Sequence, residues 1–314
     1  KVKNDAGAEL FLWYTTPMHL SQVESKPIAS KTAGNQGPLV SVVIPCYNQA
    51  RYLDECISSV LEQSFGSFEI IVVDDGSNNP EDISLLDHAD YPRTTLLRQA
   101  NQGPSAARNA GIRKARGKYI LPLDADDKIA PRFLELCVGV MERNPEIGIA
   151  GGQTDFFGAA TGRFKLPPFE FPRMLIENAL VCTYLFRRSD WEKVGGYNPN
   201  MKFGWEDWDF WLSLIELGCK VYQSDETLLF YRMHHVSRNT SFRGGGAGEF
   251  EMRRQIVDNH RELYARYPRH RKFVLTGRRS LTSRMVRILI NIFCLFVPSR
   301  TSRRKFRAVY RRMP

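Results

Sequence analysis

Hydrophobic positions along the chain follow two periods. Val40-Ser-Val-Val-Ile44 is a short apolar run rich in β-branched residues, too short for a helix, and reads as a buried strand. Leu53, Cys56, Ile57, Val60 and Leu61 then recur at i, i+3, i+4, i+7 and i+8, the stripe of an amphipathic helix. Phe68 to Val73 predicts a second buried strand ending in Asp74-Asp75-Gly76-Ser77, and Leu96-Leu97 marks a third. Ser105 is expected to cap a helix that runs through Ala106, Ala107 and Ala110 to about Arg116. Lys118 to Leu123 predicts a fourth strand, and Pro131 opens a helix that closes before Asn144-Pro145. Trp205 to Gly218 reads as a helix apolar nearly all round, with Glu206, Asp207 and Asp209 at its start. Strands alternating with helices predict an α/β domain with a mostly parallel sheet covered on both faces. Such sheets bind ligands beyond the carboxyl ends of their strands. Asp74-Asp75 and Asp124 to Asp127 both fall there.

Three segments follow from this pattern: an N-terminal extension and linker over 1–37, the main domain over 38–248, and a basic amphipathic helical tail over 249–314. Gly244 to Gly248 reads as a flexible linker. The 314 residues are 43% hydrophobic and 25% charged, which excludes disordered and collagen-like classes. The net charge of +10 is unevenly placed: residues 263–314 hold 15 Lys/Arg and no carboxylate, so the rest of the chain is mildly acidic. Six scattered cysteines without CxxC spacing fit a reducing compartment better than a disulfide or zinc framework. The sequence opens on Lys1, as a fragment of a longer chain would, and carries no signal-peptide pattern. The run Ile288 to Val297 is far short of the ~20 residues a membrane span needs.

Carboxylates supply the candidate chemistry. Asp74-Asp75 follows a buried strand, where one Asp would satisfy a turn. Asp124-Ala125-Asp126-Asp127 sets three mutually repelling carboxylates after another strand. A divalent cation with hard oxygen ligands would relieve that repulsion; a solvated acidic loop is the plain alternative. Glu206-Asp207-Trp208-Asp209 exceeds what helix capping requires, and burying acids among indoles is costly unless they are paired or used. Arg108, on an Ala-rich helix, offers a guanidinium for an anionic ligand or for orienting a carboxylate, against the plainer surface salt bridge. There is no GxxxxGK[ST], GxGxxG after the first strand, or GxSxG.

Taken together, VSVVIPCYNQARYLDECISSVLEQSF, FEIIVVDDGS, NQGPSAARNAGIRKARGKYILPLDADD, GWEDWDFWLSLIELG and YRMHHVS, in this order over about residues 39 to 240, resemble family 2 glycosyltransferases of the GT-A fold. The resemblance implies a Rossmann-like GT-A catalytic domain and an inverting transfer of a sugar from a nucleotide-diphosphate donor to a hydroxyl. It puts Pro45, Tyr47 and Asn48 at the base and ribose, Asp75 on the nucleobase, and Asn101 and Arg108 along the nucleotide pocket. Asp124, Ala125 and Asp126 match the DxD motif, with Asp124 toward the ribose and metal shell and Asp126 on Mn²⁺ or Mg²⁺. Asp207 matches the general base, Glu206 and Trp205 the sugar and acceptor side. His234 matches a further metal or diphosphate contact, with adjacent His235 as the alternative.

Asp75 favours a UDP-sugar donor by the same resemblance. The acceptor is expected to be a saccharide or lipid-linked saccharide in polysaccharide or glycan biosynthesis. Arg284, Arg287 and Asn291, then Arg300, Arg304, Arg307 and Arg311, line two helical faces, so residues 279–313 are expected to hold an anionic membrane surface. A packed helical subdomain is the competing reading, and no nucleic-acid partner is expected. The expected location is cytoplasmic, peripheral on the inner face of the cell membrane. A sugar nucleotidyltransferase is the enzyme alternative, though Pro45-Cys46-Tyr47-Asn48 lacks the Gly-rich cationic loop it would want. A catalytically inactive basic scaffold is the non-enzyme alternative.

Overall fold

The computed structural model describes residues 37–164, 166–202, 204–234 and 247–276. The extension up to residue 36, His235 and segment 279–313, which was expected to hold a membrane surface, lie outside them.

Among the described residues a nine-stranded sheet runs in the order β3-β2-β1-β4-β8-β6-β9-β5, with β7 attached to β6. β1 (Val40–Cys46), β2 (Phe68–Asp74), β3 (Thr94–Arg98) and β4 (Tyr119–Pro122) are parallel neighbours. This is the parallel α/β half read from the sequence. The other half is mixed. β8 (Leu185–Arg187) runs antiparallel to both β4 and β6 (Ile147–Gly158), and β9 (Lys220–Met233) returns parallel to β6. β5 (Lys128–Ile129) and β7 (Gly162–Phe164) are short antiparallel additions to β9 and β6.

β1 reads as a continuous apolar run because both its faces are buried. Val42 and Ile44 pack in one core, with Ile57, Leu121, Phe133 and Cys137. Val43 points to the other, with Ile112, Ile120, Phe210, Trp211 and Leu214. α1 (Leu53–Leu61), α2 (Pro80–Asp87) and α4 (Phe133–Arg143) contribute to the first core; α3 (Pro104–Lys114) and α7 (Glu206–Glu216) to the second. α5 (Phe171–Met174) lies between β7 and β8, and α6 (Arg188–Val194) follows β8 and precedes α7.

The start of α3 differs from the sequence expectation. Gly103, not Ser105, is its N-cap, at φ 87°, and Pro104 takes the first helical position. Proline's fixed φ and missing N–H suit that position, so the buried Ser105 falls inside the helix, while Asp75 accepts the amides of Gln102 and Gly103 just before it. The helix ends at Lys114, two residues short of Arg116.

Beyond the sheet, α8 (Ala247–Asn259), α9 (Arg261–Arg266) and α10 (Pro268–Thr276) follow. Met252, Ile256, Val257, Leu263, Tyr264 and Val274 join the second core, and the Tyr264 hydroxyl donates to the Leu175 carbonyl at 2.8 Å. Ala247 and Gly248, read as flexible linker, open α8 instead; 244–246 lie outside the described residues. No helix among the described residues is long and apolar enough to cross a membrane.

Candidate active site

In-register pairing puts Cys46 at the end of β1 opposite Asp74 at the end of β2, so the following loops meet above the sheet edge. Asn48 ties them together. It sits in the left-handed region at φ 52°, its Oδ1 accepts the amides of Asn78 and Asn79 at 2.9 and 3.0 Å, and its Nδ2 donates to Asn78 Oδ1 at 2.8 Å. Asp75 is buried; it accepts from Gln99 Nε2 at 2.7 Å and from the Gln102 and Gly103 amides at 3.0 and 2.7 Å. It therefore orders the 99–103 loop that carries the exposed Asn101. Pro45 is half-buried and Tyr47 exposed at this rim.

The acidic loop after β4 is the centre of the network. Arg108 is 3% exposed on the buried face of α3, as the Ala-rich pattern allowed. Its Nη2 meets Asp124 Oδ1 at 2.7 Å and its Nη1 meets Glu206 Oε1 at 2.8 Å, with the Tyr197 ring 5.6 Å away. One guanidinium thus joins two acidic motifs 82 residues apart in sequence. Burial opposes the charge on Arg108, but the two carboxylates outweigh it and hold the group firmly protonated. The Cys182 thiol reaches Asp124 Oδ2 at 3.4 Å. Ala125 is fully buried in the first core.

Asp126 turns the other way. Its Oδ2 lies 2.6 Å from His234 Nε2 and accepts from Gln49 Nε2 at 3.1 Å. Asp127 is buried, accepts the Arg232 amide at 2.8 Å, and keeps Oδ2 without a hydrogen-bond partner. Arg232 Nε in turn donates to the Asp126 carbonyl at 2.9 Å. The end of β9 is thereby fastened to the acidic loop, which brings His234 to Asp126. Burial and the neighbouring Asp124 push the Asp126 carboxyl up, while His234 holds it down; burial and both neighbouring acids push Asp127 up.

α7 begins on the opposite wall. Trp205, its N-cap, holds a left-handed φ of 62°, a strained geometry for an indole residue. Its ring lies 5.4 Å from Trp208, and the Arg253 guanidinium of α8 is 5.4 Å from it. Glu206 is buried on Arg108. Asp207 is half-buried; Oδ1 accepts the Trp208 amide at 2.8 Å and Oδ2 accepts Asn178 Nδ2 at 2.9 Å. Burial, with Glu206 and Asp124 adding and Arg108 opposing, pushes the Asp207 carboxyl up to about 7.

The structure therefore brings Arg108, Asp124 and Glu206 into contact, with Asp207 next to Glu206, and pairs Asp126 with His234. Asn48 and Asp75 instead bond to the neighbouring loops, 78–79 and 99–103. Gln49, Asn178, Cys182 and Arg232 also touch site residues, and sequence reading gave none of them a role. Gln49 and Arg232 stand inside recognisable motifs; Asn178 and Cys182 sit in a loop without periodic signal. Among the described residues no group of three or more His, Cys, Asp or Glu is arranged to hold a metal ion. Asp126 and His234 do form an oxygen–nitrogen pair suited to a divalent cation, and the next residue, Asp127, keeps a buried carboxylate oxygen without a donor.

Sheet and cleft define an α/β protein whose site lies at the carboxyl edge of its parallel strands. The sequence profile of Glycosyl transferase family 2 matches residues 41–207, and the chain belongs to that family. A chondroitin synthase of Escherichia coli is 29% identical over 212 residues, 66% of this chain but 30% of that protein, so the chain spans under a third of that relative. An uncharacterized glycosyltransferase of Haemophilus influenzae is 33% identical over 208 residues, 64% of this chain and 81% of its own. S. aureus TarS 1-349, solved in complex with UDP-GlcNAc, superposes with a TM-score of 0.58 at 19% identity, covering 70% of this chain and 66% of that one. That likeness carries the fold, which is GT-A-like.

Proposed function

We propose that the chain transfers a sugar, with inversion, from a nucleotide-diphosphate sugar to a hydroxyl of a saccharide or lipid-linked saccharide in polysaccharide biosynthesis. A UDP-sugar is the favoured donor, supported by the UDP-GlcNAc complex of TarS. The chondroitin synthase relative supports a saccharide acceptor. The observation that carries the reading is Arg108, which holds the Asp124 loop and the start of α7 against one another. In this reading Asp126, two residues past Asp124, and Asp207, next to Glu206, face one cleft from different motifs. An in-line displacement needs that division, with the leaving diphosphate on one side of the anomeric carbon and the base on the other.

In this mechanism Pro45, Tyr47, Asn48, Asp75 and Asn101 frame the nucleotide. Asp126 and His234, with Asp124 in the surrounding shell, would hold Mn²⁺ or Mg²⁺. That ion supplies charge neutralisation to the departing diphosphate when bound. Asp207 takes the proton of the acceptor hydroxyl, a poor nucleophile until it loses it. Its raised proton affinity suits the task, because a base poised near neutral pH combines ionisation with driving force. Glu206, neutralised by Arg108, fixes the helix start without competing as base. Trp205 offers an indole face to the acceptor. Residues 279–313 hold the enzyme on the inner membrane face, where a lipid-linked acceptor would be found.

The test is product analysis after incubation with UDP-GlcNAc and Mn²⁺. Release of UDP supports the transferase. Formation of UTP on adding pyrophosphate marks a nucleotidyltransferase, and an unchanged donor across a panel of nucleotide sugars marks an inactive scaffold; either overturns the reading.

A further inference from the structure

Asp207 has one neighbour that no motif marks. Asn178 lies in the loop between α5 and β8, and its Nδ2 donates to Asp207 Oδ2 at 2.9 Å. Its own Oδ1 accepts the Leu180 amide at 3.2 Å, an Asx turn that commits the NH₂ end to the carboxylate. The loop cannot swing away freely. Trp208 Nε1, one residue past Asp207, donates to the Met174 carbonyl at 2.7 Å, and the Ala179 amide reaches Met174 Sδ at 3.4 Å.

On its other oxygen Asp207 accepts the Trp208 amide. Each carboxylate oxygen thus has one fixed donor and one acceptor site left for a substrate hydroxyl. The charged and titratable groups around it are Glu206 and Asp124, which resist its ionisation, Arg108, which favours it, and Cys182 and Tyr197 within electrostatic reach. Asn178 differs from all of these. It does not titrate, it touches Asp207 directly, and its N–H bonds best to the ionised form.

We propose that Asn178 is a positioning residue for the acceptor-activating base: its amide fixes the plane of the Asp207 carboxylate and selects the ionised form. This rests on the reading of Asp207 as the base. A purely structural Asn would hold the loop; this one also sets the pH at which the base works.

The experiment is a pH titration of the full chain labelled with ¹³C at the Asp carboxyls, with the Asp207 resonance assigned from D207N. In parallel, UDP-GlcNAc turnover with Mn²⁺ is followed against pH. N178A is expected to raise the Asp207 midpoint and the acid limb of kcat together by about one pH unit, a roughly tenfold rise in proton affinity. N178D, the same size but an acceptor in place of a donor, is expected to raise both further, and N178Q to recover part of the loss. An unmoved midpoint in N178A or N178D overturns the proposal even when D207N abolishes turnover. If D207N retains turnover, the base assignment fails instead.

Discussion

Replacing Arg108 by Met removes the guanidinium and keeps the length and apolar body of the side chain. Two ion pairs at 2.7 and 2.8 Å go with it, and they are not equivalent. The Asp124 side chain is 31% exposed and keeps the Cys182 thiol, so water takes over much of its stabilisation; that leg is worth about 0–1 kcal/mol. The Glu206 side chain is 10% exposed and faces Arg108 at the buried start of α7. Leaving one member of such a pair buried costs about 3–5 kcal/mol, and this leg dominates. For 314 residues, at ~2.1 cal/mol/K of unfolding entropy per residue, a loss of that order lowers Tm by roughly 5–8 °C. Urea unfolding at neutral pH, with the slope m compared between variants, reads the loss directly. R108K keeps the charge but not the fork, and falls between R108M and the parent. E206Q in the R108M background recovers part of the loss, because the uncompensated carboxylate is gone. A loss below about 1 kcal/mol for R108M, or strict additivity of R108M and E206Q, refutes the claim that Glu206 depends on this guanidinium.

Three further outcomes are expected. D207N loses sugar transfer but still binds UDP, and the parent's turnover rises with pH through about 7 because the base must be ionised. For stability the sign is opposite: a folded carboxyl held above its unfolded value retains its proton between about pH 4 and 7 while the unfolded chain has lost it. Stability therefore falls over that window, and thermal melts of D207N show a shallower fall. His260 is buried beside Asp209 and Glu216; burial opposes its charge, but the two acids outweigh it and raise it to about 9. Its contribution, on the order of 3 kcal/mol, is complete below about pH 6.5 and lost as pH rises through 9, and melts of H260Q across that range lack the loss.

Legibility in the sequence tracks burial geometry. β1, β2 and β4 are buried on both faces, so each appears as a short, mostly apolar run; α1 buries one stripe of correct spacing, and α4 is apolar and buried over most of its surface. α2 escapes such a reading because only Asp82 and Leu86 are buried in it; its start is set by Asn79 Oδ1 accepting the Glu81 amide at 3.0 Å. β6 looks like a turn because of its glycines, yet Gly151 is demanded by packing: a Cβ there would lie 2.5 Å from the Tyr184 ring. β9 is half-buried along most of its length and gives neither period clearly. The acidic clusters around Asp124, Asp126, Glu206 and Asp207 stood out because like charges crowd there beside apolar residues, and the ion pairs of Arg108 with Asp124 and Glu206 join them. Asn178 was not, because an amide in an aperiodic loop gains meaning only from the carboxylate folded against it.

The central claim is that Asp126 and Asp207 serve opposite sides of one cleft. Calorimetric titration of UDP, with and without Mn²⁺, into the parent chain, D126A and D207N tests it most directly. The account predicts Mn²⁺-enhanced UDP binding in the parent, the same enhancement in D207N, and its loss in D126A. Enhancement that survives D126A, or that vanishes in D207N, contradicts it.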